Sequence, residues 1–286
     1  MAYWQWGDDQ AGHVILCVHG LSRQGRDFDV LAQALCRNAR DPVRIVCPDV
    51  VGRGRSDWLA DPLAYALPTY GADMLVLLQA LKPQRLDWVG TSMGGLIGLG
   101  LCGQPGLPLP VPVGRLVLND VGPVIQWEAL QRIATYLGQP VRFESLEQGA
   151  QALQRISAGF GPHTPDQWFA LSRPMFKPAT DGPGWVLHYD PALAIPFRAL
   201  TPELAAQGEA TLWQLYDAIT AQTLLLRGAD SDLLSQATAQ AMGKRGPRAP
   251  CIEFPGVGHA PTLVADDQVR AVCDFLLRPA ASGSAG

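Results

Sequence analysis

The chain has 286 residues, 48% hydrophobic and 17% charged, with a formal net charge of −4. That length can bury a sizeable core and suits one large α/β unit carrying an insertion, while the charge gives no footing for nucleic acid or an anionic membrane surface as partner. Six cysteines (17, 36, 47, 102, 251 and 273) lie scattered without any C-x-x-C. Cys17 and Cys47 fall inside apolar runs, so buried free thiols are expected rather than disulfides or zinc ligands. The opening MAYWQWGDDQ has no basic patch before an apolar stretch, and no apolar run approaches the roughly 18 residues of a membrane span. The expectation is a cytoplasmic chain.

In chain order, His13 to Val18 is a continuous apolar run, the pattern of a strand covered on both faces of a parallel sheet. It ends in His19-Gly20-Leu21-Ser22. A loop with Arg23, Arg26 and Asp27 leads into an amphipathic helix, Phe28 to Arg37. A second strand, Arg44 to Cys47, runs into Pro48-Asp49-Val50-Val51-Gly52-Arg53-Gly54-Arg55-Ser56. Tyr70 to Leu81 has helical spacing, with Met74, Leu75, Leu78 and Leu81 on one face. Leu86 to Leu101 reads as strand, sharp turn and glycine-rich helix, and 103–114 as a proline-rich loop. Arg115 to Asp120 is the next buried strand.

The alternation then stops for about a hundred residues, which hold helical pieces (Trp127 to Leu137, Ser145 to Phe160, Pro165 to Leu171, Leu212 to Ile219) and no convincing strand. It resumes with a strand at 223–228, a helix at 236–242, a strand at 251–254 and a closing helix at 266–277. Strands alternating with helices predict a doubly wound, mostly parallel sheet.

The chemistry concentrates at Gly90-Thr91-Ser92-Met93-Gly94, a G-x-S-x-G between strand and helix. A serine on so sharp a turn takes a strained conformation, and its neighbours two residues away crowd together, which glycine alone tolerates. Its hydroxyl is a poor nucleophile at neutral pH and needs a base, which in turn needs an orienting carboxylate. His259 follows the last strand in Gly256-Val257-Gly258-His259, and Asp232 follows the preceding strand in Gly228-Ala229-Asp230-Ser231-Asp232. Both lie at the carboxyl edge where ligands of such sheets bind. Asp232 is the expected acid, with Asp230 and Asp120 as alternatives. His19, His163 and His188 are expected to be structural or exposed, and Arg23 and Arg26 to sit on a solvated loop or to hold a substrate carboxylate.

With these pieces in order over about 260 residues, the chain resembles the α/β-hydrolases that carry a helical cap. Val50-Val51 replaces the arginine that often follows the strand-end aspartate there. The resemblance implies an eight-stranded core from 1–120 and 221–278, a cap over 121–220 and a flexible tail at 279–286. It implies an oxyanion hole from the backbone N–H groups of Leu21 and Met93 and needs no cofactor or metal. The implied activity is hydrolysis of a small carboxylic ester or lactone through an acyl-enzyme on Ser92. Trp127, Phe160, Trp168, Phe176 and Trp185 are candidate pocket residues, with packing between cap and core as the alternative for each. Carbon–carbon bond hydrolysis of ring-cleavage products, perhydrolysis or lyase chemistry on the same triad, and ligand sensing on a retained fold are the rival expectations. A serine rather than an aspartate nucleophile disfavours dehalogenase and epoxide hydrolase chemistry. Oligomeric state is left open.

Overall fold

A computed structural model of the protein describes residues 1–279. The expected flexible tail lies outside the described residues from position 280 onward. The elements run β1 (Tyr3–Gly7), β2 (His13–Val18), α1 (Asp29–Asn38), β3 (Arg44–Pro48), α2 (Leu67–Leu81), β4 (Arg85–Thr91), α3 (Met93–Gly103) and β5 (Val113–Asn119). Next come α4 (Trp127–Tyr136), β6 (Arg142–Phe143), α5 (Leu146–Ile156), α6 (Pro165–Ser172), β7 (Phe176–Pro178), β8 (Trp185–Leu187), α7 (Ala194–Arg198) and α8 (Pro202–Asp217). The chain closes with β9 (Gln222–Gly228), α9 (Gln236–Met242), β10 (Cys251–Phe254) and α10 (Asp266–Leu276).

Among the described residues the main sheet has seven strands, not the expected eight, in the order β1-β3-β2-β4-β5-β9-β10. Only β1 runs antiparallel, against β3. The N-terminal run is short and half-exposed, too weakly patterned to be read as a strand. Alternate residues of each inner strand feed opposite cores, as the period-two geometry of a strand requires. Val14, Leu16, Val18, Trp88 and Leu118 face a core shared with α2 and α3. Ile15, Cys17, Val89 and Val117 face another, closed by Leu31 and Leu35 of α1 and Val272 and Leu276 of α10. Covering on both faces explains why these strands read as unbroken apolar runs. All six cysteines are free.

The stretch between β5 and β9 is not wholly helical. Its short strands form a separate antiparallel sheet in the order β6-β8-β7. It has its own apolar cluster, in which Leu153, Trp168, Met175 and Phe176 are buried. This stretch is tied to the core by backbone bonds. Gly54 N–H donates to the His188 carbonyl at 2.9 Å, and Asp190 N–H donates to the Gly52 carbonyl at 2.7 Å. The glycine-rich loop after β3 is thus an anchor for the inserted stretch. No described helix is long and apolar enough to cross a membrane.

Candidate active site

Strand register sets the site. Thr91 on β4 pairs with Asn119 on the adjacent β5, so the next residue on each strand, Ser92 and Asp120, leaves the sheet beside the other. Both take positive φ, 51° and 55°, a conformation that costs a non-glycine residue free energy and persists where its surroundings enforce it. The surroundings of Ser92 are the two motif glycines. A Cβ at Gly90 would run into the Gly94 backbone, and one at Gly94 into the Val18 carbonyl.

His259 Nε2 lies 3.0 Å from Ser92 Oγ, and His259 Nδ1 lies 2.8 Å from Asp120 Oδ2. A carboxylate only accepts, so Nδ1 carries the proton and Nε2 presents its lone pair to the serine hydroxyl. The Asp120 carboxylate is fully buried and held on three sides. Gly228 N–H donates to Oδ1 at 2.8 Å, and the Ser231 hydroxyl donates to Oδ2 at 2.6 Å beside His259. Asn119 braces the histidine loop by donating to the Pro261 carbonyl at 2.8 Å.

This corrects the expected acid. Asp232 is exposed and forms a two-point ion pair with Arg132 of α4, at 2.6 and 3.0 Å, rather than turning to the imidazole. Asp230 is exposed as well. The turn after β9 contributes a donor, Ser231, where a carboxylate was expected. An aspartate directly abutting β5, as the serine abuts β4, was the signal for Asp120.

Neither Leu21 N–H nor Met93 N–H makes a hydrogen bond among the described residues. Both residues line the cleft beside Ser92, and Met93 opens α3, where helix N–H groups are unsatisfied and the dipole favours negative charge. His19 is fully buried, donates through Nδ1 to the Gly20 carbonyl at 2.7 Å, and accepts from Val50 N–H at 3.0 Å. Burial lowers its pKa to about 3, so it is a neutral brace. The carbonyl it grips and Leu21 N–H belong to one planar peptide and point oppositely, so the brace also sets the direction of that N–H.

Behind Leu21 and Met93 lies Arg53, fully buried. It donates to the Leu21 carbonyl at 2.8 Å and the Val51 carbonyl at 2.7 Å, and stacks on Tyr70 at 4.8 Å. Burial pulls its pKa down, and no carboxylate pairs with it among the described residues. Sequence reasoning gave this residue no role.

Two cavities meet at Leu21, Ser92 and Ile133. One, of about 530 Å³, is apolar and runs between the core and α4, α7 and α8 past Trp127, Phe197 and Leu212. The other, of about 110 Å³, passes His259, Arg23, Arg132, Tyr136 and Phe160. Of the expected pocket residues, Trp127 lines the first and Phe160 the second. Trp168, Phe176 and Trp185 do not line either; they pack in the inserted stretch's own core, where Trp168 Nε1 donates to the Ala150 carbonyl at 2.8 Å. Arg23 pairs with Asp27 at 2.6 Å, whereas Arg26 pairs with Asp29 and stacks on Trp4 away from the cleft. His163 is satisfied by the Gly161 carbonyl and the Thr262 hydroxyl. Among the described residues, no group of three or more His, Cys, Asp or Glu side chains is gathered as a metal site.

The chain is 51% identical over 277 residues to a 3-hydroxybutyrate-oligomer hydrolase of Cupriavidus necator, covering 96% of this chain and 92% of that one. It is 26% identical to an esterase of Mycobacterium tuberculosis, over 95% of this chain and 83% of that protein. The crystal structure of an alpha/beta hydrolase from Novosphingobium aromaticivorans superposes with a TM-score of 0.81 at 34% identity, covering 96% of this chain and 92% of that one. The family model for the alpha/beta hydrolase family matches residues 15–274, and the chain belongs to that family.

Proposed function

We propose that the protein is a carboxylic ester hydrolase working through an acyl-enzyme on Ser92, with His259 as base and Asp120 as its orienting acid. The observation that carries this reading is the unbroken relay from Ser92 Oγ to His259 Nε2 at 3.0 Å and from Nδ1 to Asp120 at 2.8 Å. Its serine sits at the foot of a large apolar cavity. The relative that is 51% identical is a 3-hydroxybutyrate-oligomer hydrolase, and short oligomers of hydroxy acids are the substrate class we assign to this chain.

His259 takes the proton of Ser92 as Oγ attacks the ester carbonyl carbon. Negative charge then gathers on the carbonyl oxygen, which the free N–H groups of Leu21 and Met93 receive; one such donor typically contributes about 2.7–4 kcal/mol to the transition state. His259 returns the proton to the departing alkoxide, and water cleaves the acyl-enzyme by the same sequence. Residues 121–220 act as the cap that shapes the cleft and keeps bulk water out.

Hydrolysis of p-nitrophenyl esters by wild type and Ser92→Ala tests the reading. The variant should lose about 10³-fold or more in kcat and should no longer take up a fluorophosphonate label. Turnover that survives Ser92→Ala would sink it. A chain that is neither labelled nor active on any ester would instead fit a ligand-sensing protein on the same fold.

A further inference from the structure

We infer that the two cavities divide the substrate: the acyl part fills the 530 Å³ arm, and the 110 Å³ arm takes a small alcohol bearing a carboxylate. This rests on the ester-hydrolase reading and adds a direction to it. The leaving alkoxide must take its proton from His259 Nε2, so it departs on the side that the imidazole lines. His259 lines only the smaller cavity, together with Thr91, Ser157 and Ala260. Leu21 and Ser92 line both cavities, whereas Met93, the second oxyanion donor, lines only the larger one, from whose wall His259 is absent. The acyl carbon held between those donors therefore extends its chain into the larger, apolar arm.

Charge assigns the alcohol. The walls of the smaller arm include Arg23 and Arg132 and no aspartate or glutamate. The partner carboxylates, Asp27 and Asp232, stand outside the wall, so each ion pair turns its cationic end inward. Arg23 uses Nε and Nη2 on Asp27 and the Leu171 carbonyl, and no described hydrogen bond uses its Nη1. Burial also pushes the Asp27 carboxyl up, which weakens its hold as a counter-anion. A compact alcohol with a carboxylate end matches this arm in size and charge; a long one does not fit it. In an oligomer of a hydroxy acid, only one ester has such an alcohol, the last ester before the free carboxylate. The protein therefore removes the carboxyl-terminal unit, one at a time.

The step balances. The Ser92 Oγ–carbon bond forms as its proton passes to Nε2, the carbon–oxygen bond to the terminal unit breaks, and the released oxygen takes that proton. The shortened chain remains esterified to Ser92 until water hydrolyses it to a new carboxylate terminus.

A 3-hydroxybutyrate trimer labelled with ¹³C in its carboxyl-terminal unit tests this, with quenched products and the intact protein read by mass spectrometry. The expected result is labelled monomer released first and an unlabelled two-unit acyl group on Ser92. Unlabelled monomer released first, or label retained on Ser92, would overturn the direction. The trimer and its methyl ester should differ in kcat/KM by about tenfold or more in wild type, a ratio that Arg132→Gln lowers and Arg132→Lys largely restores. Equal rates on acid and methyl ester in wild type would remove the carboxylate site. Loss of all Ser92-dependent ester turnover would instead strike the underlying ester-hydrolase reading.

Discussion

At the scale of single residues, the acid is the instructive case. Asp232 satisfied every rule of chain order, and so did Asp120; both fall between the serine and the histidine. What separates them is register, the pairing of Thr91 with Asn119; in the linear sequence this shows only as an aspartate that directly abuts its strand, as Ser92 does. Asp120→Asn keeps the shape but offers an amide where the imidazole needs an acceptor, so kcat should fall about 10³- to 10⁴-fold. Asp232→Asn removes one end of an exposed ion pair and should change p-nitrophenyl acetate hydrolysis by no more than about twofold. Parallel kinetics on the two variants check this, and the reverse order of damage would restore Asp232 as the acid. That Ser92 and His259 meet was legible because their signals are local: a crowded turn that demands glycines, and a glycine loop after the last strand. Arg53 and Ser231 were not, since their parts come from what they touch across the fold.

Among the elements, strands covered on both faces announce themselves by continuous apolar runs, and β2, β4, β5 and β9 fell where those runs lie. The strands of the inserted stretch are two or three residues long, too short to establish any period. The first ten residues of α8, Pro202 to Thr211, escaped for another reason. It is largely exposed and so lacks the apolar stripe that a packed helix face would show. Helix α3 offers a test of how the sharp turn at Ser92 is built. Gly94 sits against the Val18 carbonyl, while a methyl group at Gly100 would meet nothing within 4 Å. Gly100→Ala should therefore stabilise by about 0.5–1 kcal/mol through helix propensity. Gly94→Ala should destabilise by about 1–3 kcal/mol, because the obstruction is backbone that cannot step aside. Thermal melts of the two variants should move in opposite directions, and shifts of the same sign would refute this account of the turn.

For the whole molecule, the alternation of strand and helix made the architecture readable, and the break in that alternation marked the inserted stretch. The strand count was missed by one. How Ser92, Asp120 and His259 are distributed over the sheet carries a further consequence. Ser92 and Asp120 directly follow β4 and β5, inside the sheet, whereas His259 follows β10, which among the described residues is an edge strand paired only with β9 and is exposed at three of its four residues. Edge segments open at lower free energy than central ones. In mild urea, activity should fade at a lower concentration than the global tryptophan fluorescence change, and amides of 251–254 should exchange hydrogen faster than those of 86–90. Coincident midpoints would show the edge to be as firm as the centre. If the edge does open first, the working lifetime of this protein is set by a four-residue strand, and fortifying the large core would lengthen it little.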